Sequence, residues 1–392
     1  MKKSFDVVIV GGALVGSSVA WHLKGVLGFS GSVAVIEADP GYAKASSALS
    51  AASIRQQFST PENIRMSQYG IEFIRAMTED ERIATDVGFT EHGYLLLASG
   101  AGRDVMEANH EIQRNCGADI ALLAPPALAE RFPWLNTGGI ALGALGLSGE
   151  GWLDAYALMQ GLRRGARLCG AEYITARVTA LGIEDNRVQS ITLDNGEQIS
   201  CGILVNAAGA AAARVAEMAG IALPVEPRKR CVFVFDCRER LEGPVPVPLV
   251  VEPGGAYFRP EGQYYICGVS PDEADDSACE DFDIDYRLWE EILWPRLAER
   301  VPVFEAIKMV NAWAGHYAYN VLDQNAIIGP HEQIGNFLFA NGFSGHGLQQ
   351  APAVGRGIAE WIVHGGWRSL DLSAFSFSRI AEGRKIIERN VI

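Results

Sequence analysis

The chain has 392 residues, 48% of them hydrophobic and 20% charged, which fits a soluble globular protein of two domains or of one large domain with an insertion. A net charge of −14 with one basic run, Arg228-Lys229-Arg230, excludes a nucleic-acid partner and leaves any anionic small molecule to locally placed arginines. The seven cysteines are odd in number and show no CxxC spacing, so they read as reduced thiols in a cytoplasmic setting, with neither a disulfide framework nor a metal site.

Phe5 to Leu23 is the one stretch near the N-terminus that resembles a signal or membrane helix. Gly11, Gly12 and Gly16 interrupt it and no small-residue cleavage site follows, so a βα unit explains it better than an integral membrane segment. Asp6 to Val10 reads as a strand buried on both faces and Ser17 to Gly25 as a helix. Val33 to Ile36 is a second strand, ending in Glu37. Pro61 to Thr78 is helical, with Ile64, Ser67, Ile71 and Ile74 on one face. Tyr94 to Ala98 is a strand, and Asp104 to Cys116 and Asp154 to Cys169 are helices. Val178 to Ile203 reads as a meander turning at Asp194-Asn195-Gly196, and Leu204 to Asn206 as a strand leading into Ala207-Ala208-Gly209. From about residue 225 the pattern is β-rich, with strands at Val232 to Phe235 and Tyr264 to Cys267. A helix follows at Tyr286 to Glu299, then strands at Ala326 to Ile328 and Phe337 to Ala340 and a helix at Ala351 to Val363.

The segment Gly11-Gly12-Ala13-Leu14-Val15-Gly16 has the spacing of a dinucleotide fingerprint, with Ala13 in place of the middle glycine. Gly11 permits the turn out of the strand, Gly16 permits close helix packing, and the helix N-terminus offers N–H groups to a pyrophosphate. Glu37 lies twenty-one residues after Gly16, where a carboxylate accepts ribose hydroxyls and repels the 2′-phosphate of NADP.

The chain resembles the D-amino-acid oxidase superfamily of flavoproteins, which includes enzymes oxidising glycine, sarcosine and dimethylglycine. Four motifs carry the resemblance: the fingerprint through Glu37; Ser46-Ser47-Ala48-Leu49-Ser50 with Ile54-Arg55-Gln56-Gln57-Phe58; Val205 to Gly209; and Gly342-Phe343-Ser344-Gly345-His346-Gly347. Within the superfamily the likeness is strongest to a mitochondrial branch, at Trp313 to Gly315, Asp323 to Asn325 and Gly342 to Gln350. The resemblance implies a mixed α/β and α+β fold, a Rossmann-type FAD-binding domain (1–84, 141–224, 322–392) with an inserted β-rich substrate domain (85–140, 225–321). FAD, held non-covalently, is then expected on the fingerprint and on Glu37 and Ala38, with Ser46 and Ser47 donating hydroxyl hydrogen bonds to the pyrophosphate. Ala48, Ser50, Ala51 and Ala52 extend that loop, Val178 meets the adenine, and Ala207, Ala208 and Gly209 pass close to the cofactor. The turn Gly342 to Gly347 and Leu348, at a helix N-terminus, would face the flavin ring and stabilise its reduced charge.

The resemblance also implies oxidation of a C–N bond beside a carboxylate, with hydride transfer to the flavin and hydrolysis of the imine. Arg55 is expected to grip the carboxylate bidentately. Tyr257 and Arg259 alternate on one strand and would both face the substrate; a solvated strand face is the competing reading. His316 and Tyr317 follow a segment that passes the flavin, and His316 could accept a proton, contact a second carboxylate or be structural. His346 belongs to the flavin-facing turn. The chain departs from sarcosine oxidases in three respects: Leu348-Gln349 stands where they carry a lysine, Tyr264 to Gly268 lacks their oxygen-activating lysine, and no cysteine lies between Trp313 and Asn325 to bind flavin covalently. The expected partners are a small amino or imino acid such as an N-substituted glycine, and oxygen or another electron acceptor, with a homo-oligomer open. A subunit of a multi-component dehydrogenase and a flavin-bearing assembly factor with little turnover are the alternatives.

Overall fold

The computed structural model describes residues 3–272 and 274–389. The first apolar run forms the strand Ser4–Val10, parallel to Val33–Glu37 on one side and Gln198–Asn206 on the other. Side chains alternate along a strand, so Val7 and Ile9 enter one hydrophobic cluster and Val8 and Val10 another. Parallel pairing continues outward to Phe337–Asn341 and to Glu172–Thr175, and Ile327–Pro330 closes one edge antiparallel. Helices Leu14–Trp21, Pro61–Met77, Ala155–Leu168 and Gly347–His364 cover one face of this sheet. The meander Val178–Glu184 and Arg187–Leu193, with helix Ala212–Glu217, covers the other. The expected turn joins Arg187–Leu193 to Gln198–Asn206, where Gly196 adopts φ +83° and its N–H meets the Leu193 carbonyl at 2.9 Å.

A second sheet of eight strands runs in the order Ile307–Asn320, Val225–Cys237, Tyr264–Gly268, Tyr257–Glu261, Leu249–Val251, Tyr94–Ala98, Leu142–Gly146 and Ile120–Leu123. Only the pair of Leu249–Val251 with Tyr94–Ala98 is parallel. One face carries Phe233, Phe235, Phe258 and Tyr265, packed on Phe304 and Leu297. Leu142–Gly146 lies in this sheet and not in the first, where a boundary at 141 would put it. Its sequence, Leu-Gly-Ala-Leu-Gly, has few β-branched residues to mark it as a strand.

Three helices differ from the sequence expectation. The fingerprint helix starts at Leu14, with Ala13 at its N-cap position and no side-chain cap, and the helix expected from Ala351 starts at Gly347. The helix expected from Tyr286 is a wide π turn, Leu288–Leu293, running into Trp294–Arg300. Pro295 near that junction has no N–H to continue the hydrogen-bond ladder. Among the described residues no helix is long and apolar enough to cross a membrane.

Candidate functional site

A cavity of about 710 Å³ is lined by both sheets and reaches from Glu37 and Val178 to Arg55 and Gly345. At the Glu37 end the walls are backbone. Gly11 has φ +99°, and a Cβ there would lie 2.3 Å from the Ala207 carbonyl oxygen, so any side chain would push strand and loop apart. Glu37 accepts the Gly12 N–H at 2.7 Å on one oxygen and the Asp39 N–H at 2.8 Å on the other. Each oxygen keeps a further lone pair for a ribose hydroxyl. Gly11, Ala13, Val15, Glu37, Ala38, Val178, Ala207, Ala208 and Gly209 line the cavity, whereas Gly12, Leu14 and Gly16 shape the turn behind it. The chemistry of this wall fits the adenosine and pyrophosphate of a dinucleotide: small residues, a carboxylate and a helix N-terminus.

The loop 45–53 spans the cavity and is pinned to the second sheet. Trp313 Nε1 donates to the Leu49 carbonyl at 2.9 Å. Ser46, Ser47, Ser50 and Ala51 line the cavity; Ala48 and Ala52 do not. One expectation changes here. The Ser46 hydroxyl donates to the His316 carbonyl at 2.5 Å, so its single proton ties the loop to the strand and is not offered to a pyrophosphate.

At the other end the walls are side chains. Arg55 follows the short strand Ser53–Ile54 and is 3% exposed. Its backbone N–H donates to Gln349 Oε1 at 2.7 Å, Nη1 donates to the Gln57 carbonyl, and Nη2 donates to His346 Nε2 at 3.2 Å. The Phe58 ring lies 4.2 Å beneath the guanidinium. Burial, and then Arg55 itself, push the His346 imidazole down to about 3, so it is neutral and accepts on Nε2 with its proton on Nδ1. Tyr94, Tyr257 and Tyr317 are phenols raised above their ordinary value by burial, so each stays a hydrogen-bond donor. The turn that carries His346 closes against Tyr317: Gly345 has φ +97°, and a Cβ there would meet that ring at 2.5 Å. Phe343, Ser344, Gly345, Gly347 and Leu348 also line the cavity, while Gly342 packs behind it on Val225.

Arg259 does not join this group. Its Nη2 donates to the Ala51 carbonyl at 2.8 Å, Nη1 donates to Glu261, and it is absent from the cavity wall. Tyr257 faces the cavity, but the longer Arg259 side chain is drawn to the 45–53 loop, so sharing a strand face does not give the two a shared role. His316 lines the cavity, yet its ring packs edge-on against Phe282 at 4.3 Å, its Nε2 is buried without a hydrogen-bond partner, and burial lowers its pKa.

Four residues that the sequence reading passed over belong to this end. Tyr94 and Gln349 line the wall. Glu150 is fully buried behind Arg55, where it accepts the Gln56 N–H at 2.6 Å and Gln57 Nε2 at 2.8 Å. Burial pushes its carboxyl up to about 7 despite those bonds and the nearby arginine. Arg230, noticed only as part of a basic run, also lines the wall. The one signal for it was that run itself, set inside a β-rich segment of an acidic chain.

The family model described as FAD dependent oxidoreductase (DAO) matches residues 6–361. The chain is 42% identical to the FAD-dependent oxidoreductase domain-containing protein 1 of Xenopus laevis, over 99% of this chain and 85% of that protein. It is 29% identical to mitochondrial dimethylglycine dehydrogenase of Homo sapiens, over 93% of this chain and 43% of the longer enzyme. The fold matches the crystal structure of L-proline dehydrogenase from P. horikoshii with a TM-score of 0.87 at 26% identity, covering 98% of this chain and all (100%) of that one.

Proposed function

This chain belongs to the DAO family of FAD-dependent oxidoreductases, and from that premise we propose that it oxidises the C–N bond of an amino or imino acid, most suitably a secondary amine such as an N-substituted glycine. The names of two relatives, a proline and a dimethylglycine dehydrogenase, support an N-substituted substrate. FAD, when bound, supplies the acceptor for the hydride lost from the substrate α-carbon. The residues of this chain supply binding and orientation. Arg55 is the cation for the carboxylate. Gln57, Gln349, His346 and Phe58 hold it in one place, so little rotamer entropy is left to lose on binding. Neutral His346 adds no charge of its own beside Arg55. Tyr257 and Tyr317 stay protonated and offer donors to substrate oxygen atoms without competing as anions, while the Tyr94 phenol donates its proton to Ser53 Oγ at 2.7 Å. The observation that carries the reading is Arg55, buried in the cavity wall among these groups.

The test is anaerobic mixing of purified flavoprotein with a panel of N-substituted glycines, proline and primary amino acids. Saturable bleaching of the flavin by a secondary amine is expected. A flavin that dithionite reduces but no panel member does would overturn the proposal. Re-oxidation of the bleached protein by oxygen, or only by a dye, then identifies the class of acceptor.

A further inference from the structure

The basic run Arg228-Lys229-Arg230 has no part in the reading above. It lies on the strand Val225–Cys237, which places Arg228 and Arg230 on one face and Lys229 on the other. Lys229 meets Asp281 near solvent at 2.6 Å, and Arg228 meets Glu226 on its own strand at 2.8 Å. Arg230 is different. Arg230 belongs to the cavity wall, and its guanidinium sits 5.0 Å from the centre of the Tyr317 ring. Nη1 and Nη2 donate to the two carboxylate oxygens of Asp276 at 2.6 and 2.8 Å. The two side chains are only 11% and 10% exposed. The Nε–H of Arg230 is buried without an acceptor. The Tyr317 phenol, raised by burial, is drawn down by Arg230 and then by Arg55, so two guanidinium groups bear on one hydroxyl in the same wall.

We propose that Arg230 is a second carboxylate anchor of this cavity, and that Asp276 occupies it until the distal carboxylate of a dicarboxylic N-substituted amino acid takes its place. This rests on the reading that the cavity accepts an amino or imino acid. Two oxygens on the Nη1 and Nη2 edge are what a guanidinium offers a free carboxylate. A buried pair of this kind is weak as a stabilising device, because desolvation of both ions offsets their attraction. Exchanging one carboxylate for another on the same fork changes neither the charge nor the number of hydrogen bonds at Arg230, and the return of Asp276 to water tips the exchange toward a fitted dicarboxylic ligand. The displaced Asp276 has a short path to water: Ala274, Asp275, Ser277 and Ala278 around it are exposed. A monocarboxylic amine offers Arg230 nothing, so Asp276 stays and Arg55 alone holds the substrate. A dicarboxylic amine of matching span engages both arginines.

The experiment titrates the holoprotein with diglycolate and with methoxyacetate, two ethers that mimic a dicarboxylic and a monocarboxylic N-substituted glycine and cannot be oxidised at nitrogen. Binding is followed by perturbation of the flavin spectrum and by calorimetry. The parent should prefer diglycolate. Arg230→Gln should weaken diglycolate by about thirtyfold or more, as expected for loss of a desolvated charge partner, and leave methoxyacetate nearly unchanged. Asp276→Asn should tighten diglycolate, because the competing carboxylate is gone. Either single variant leaves a buried charge unpaired and can fail to fold, so the double variant Arg230→Gln with Asp276→Asn is the control. It removes both charges and should bind the two ethers alike. Equal losses for both ethers in Arg230→Gln, or a double variant that keeps the parent's preference, would overturn the proposal. So would a parent that binds neither ether. A merely structural pair would move the melting temperature and leave the affinity ratio in place. If no amine bleaches the flavin while the ratio still follows Arg230, the reaction assignment fails and the anchor stands.

Discussion

At the Glu37 end of the cavity the contacts are made by main chain and one carboxylate; at the Arg55 end they are made by side chains. The first end is assembled from a strand, a turn and a helix within one short stretch, and its tolerances are set by the 2.3 Å that a Cβ at Gly11 would have to Ala207. The second end draws Arg55, Tyr94, Arg230, Tyr257, Tyr317 and His346 from six strands, loops and turns far apart in the chain. A backbone-built site binds a constant partner, here the nucleotide portion of a cofactor, because N–H groups and dipoles do not change with the side chain that carries them. A site built of side chains can change its ligand by single substitutions. The comparison predicts that damage at the two ends will separate: cofactor retention should respond to one and substrate handling to the other.

The largest expected effect is at Arg55. Arg55→Ala should keep its flavin and lose about 2–5 kcal/mol of substrate interaction, the cost of removing a desolvated partner of a carboxylate. Arg55→Lys should recover only part, since an ammonium cannot reproduce the fork. Anaerobic stopped-flow bleaching against substrate concentration measures both. An Ala variant that bleaches at the parent's rate and saturates at the parent's concentration would break the comparison and move the carboxylate elsewhere in the wall.

A smaller loss is expected at the opposite end. Glu37→Gln should weaken FAD by about 1–3 kcal/mol, the scale of hydrogen bonds to a charged acceptor. The amide still has an oxygen to accept one N–H, so the Gly12 turn should survive. Titration of apoprotein with FAD, followed by quenching of flavin fluorescence, reads the change. If the variant instead binds FAD as the parent does and fails with substrate, the two ends are not independent.

The same contrast explains what was legible in the sequence. The strand Ser4–Val10, the turn at Gly11 and the acid Glu37 form a local pattern whose spacing follows from backbone geometry, so motif and structure coincide. Arg55, Tyr257, Tyr317 and His346 were reached through resemblance, and the structure brings all four to one cavity. Arg259 and Ser46 were reached the same way. Arg259 Nη2 and the Ser46 hydroxyl are committed to the carbonyls of Ala51 and His316, contacts between segments more than 200 residues apart that no spacing rule encodes. Glu150 was invisible for a related reason: a lone glutamate in Ser148-Gly149-Glu150-Gly151 reads as a surface turn, and only the packing of Gln56 and Gln57 around it shows a buried carboxylate. The strand Leu142–Gly146 was missed because glycine and alanine carry weak β signals.

The smallest effect expected is one of pH, and it sharpens the comparison by isolating the side-chain end. Three buried groups with large shifts set most of the pH dependence here, and His316, also lowered by burial, adds in the direction of the other histidines. Burial lowers His346 to about 3 and His22 to about 4, so between there and the ordinary histidine value the unfolded chain binds more protons. Through that window these two make stability rise with pH. Glu150 has the opposite sign. Its folded value is raised from 4.5 to about 7, so its contribution is fully present below 4.5 and is lost as pH rises through 7. Each group changes stability by at most about 1.4 kcal/mol per pH unit where only one of the two states is protonated. Between about pH 5 and 6.5 Glu150 therefore cancels roughly one histidine, and the parent's stability should climb only gently. Glu150→Gln cannot ionise. Its melting temperature should climb more steeply from pH 5 to 6.5 and keep rising near pH 7, where in the parent Glu150 offsets the remaining histidine protons and the profile levels off. The flavin content should not follow either curve, because Glu150 lies behind Arg55 and not at the Glu37 end. Melting curves of parent and variant at half-unit pH steps decide it. Parallel profiles would mean that Glu150 is ionised throughout and that the Gln56–Gln57 segment holds a charge rather than a proton.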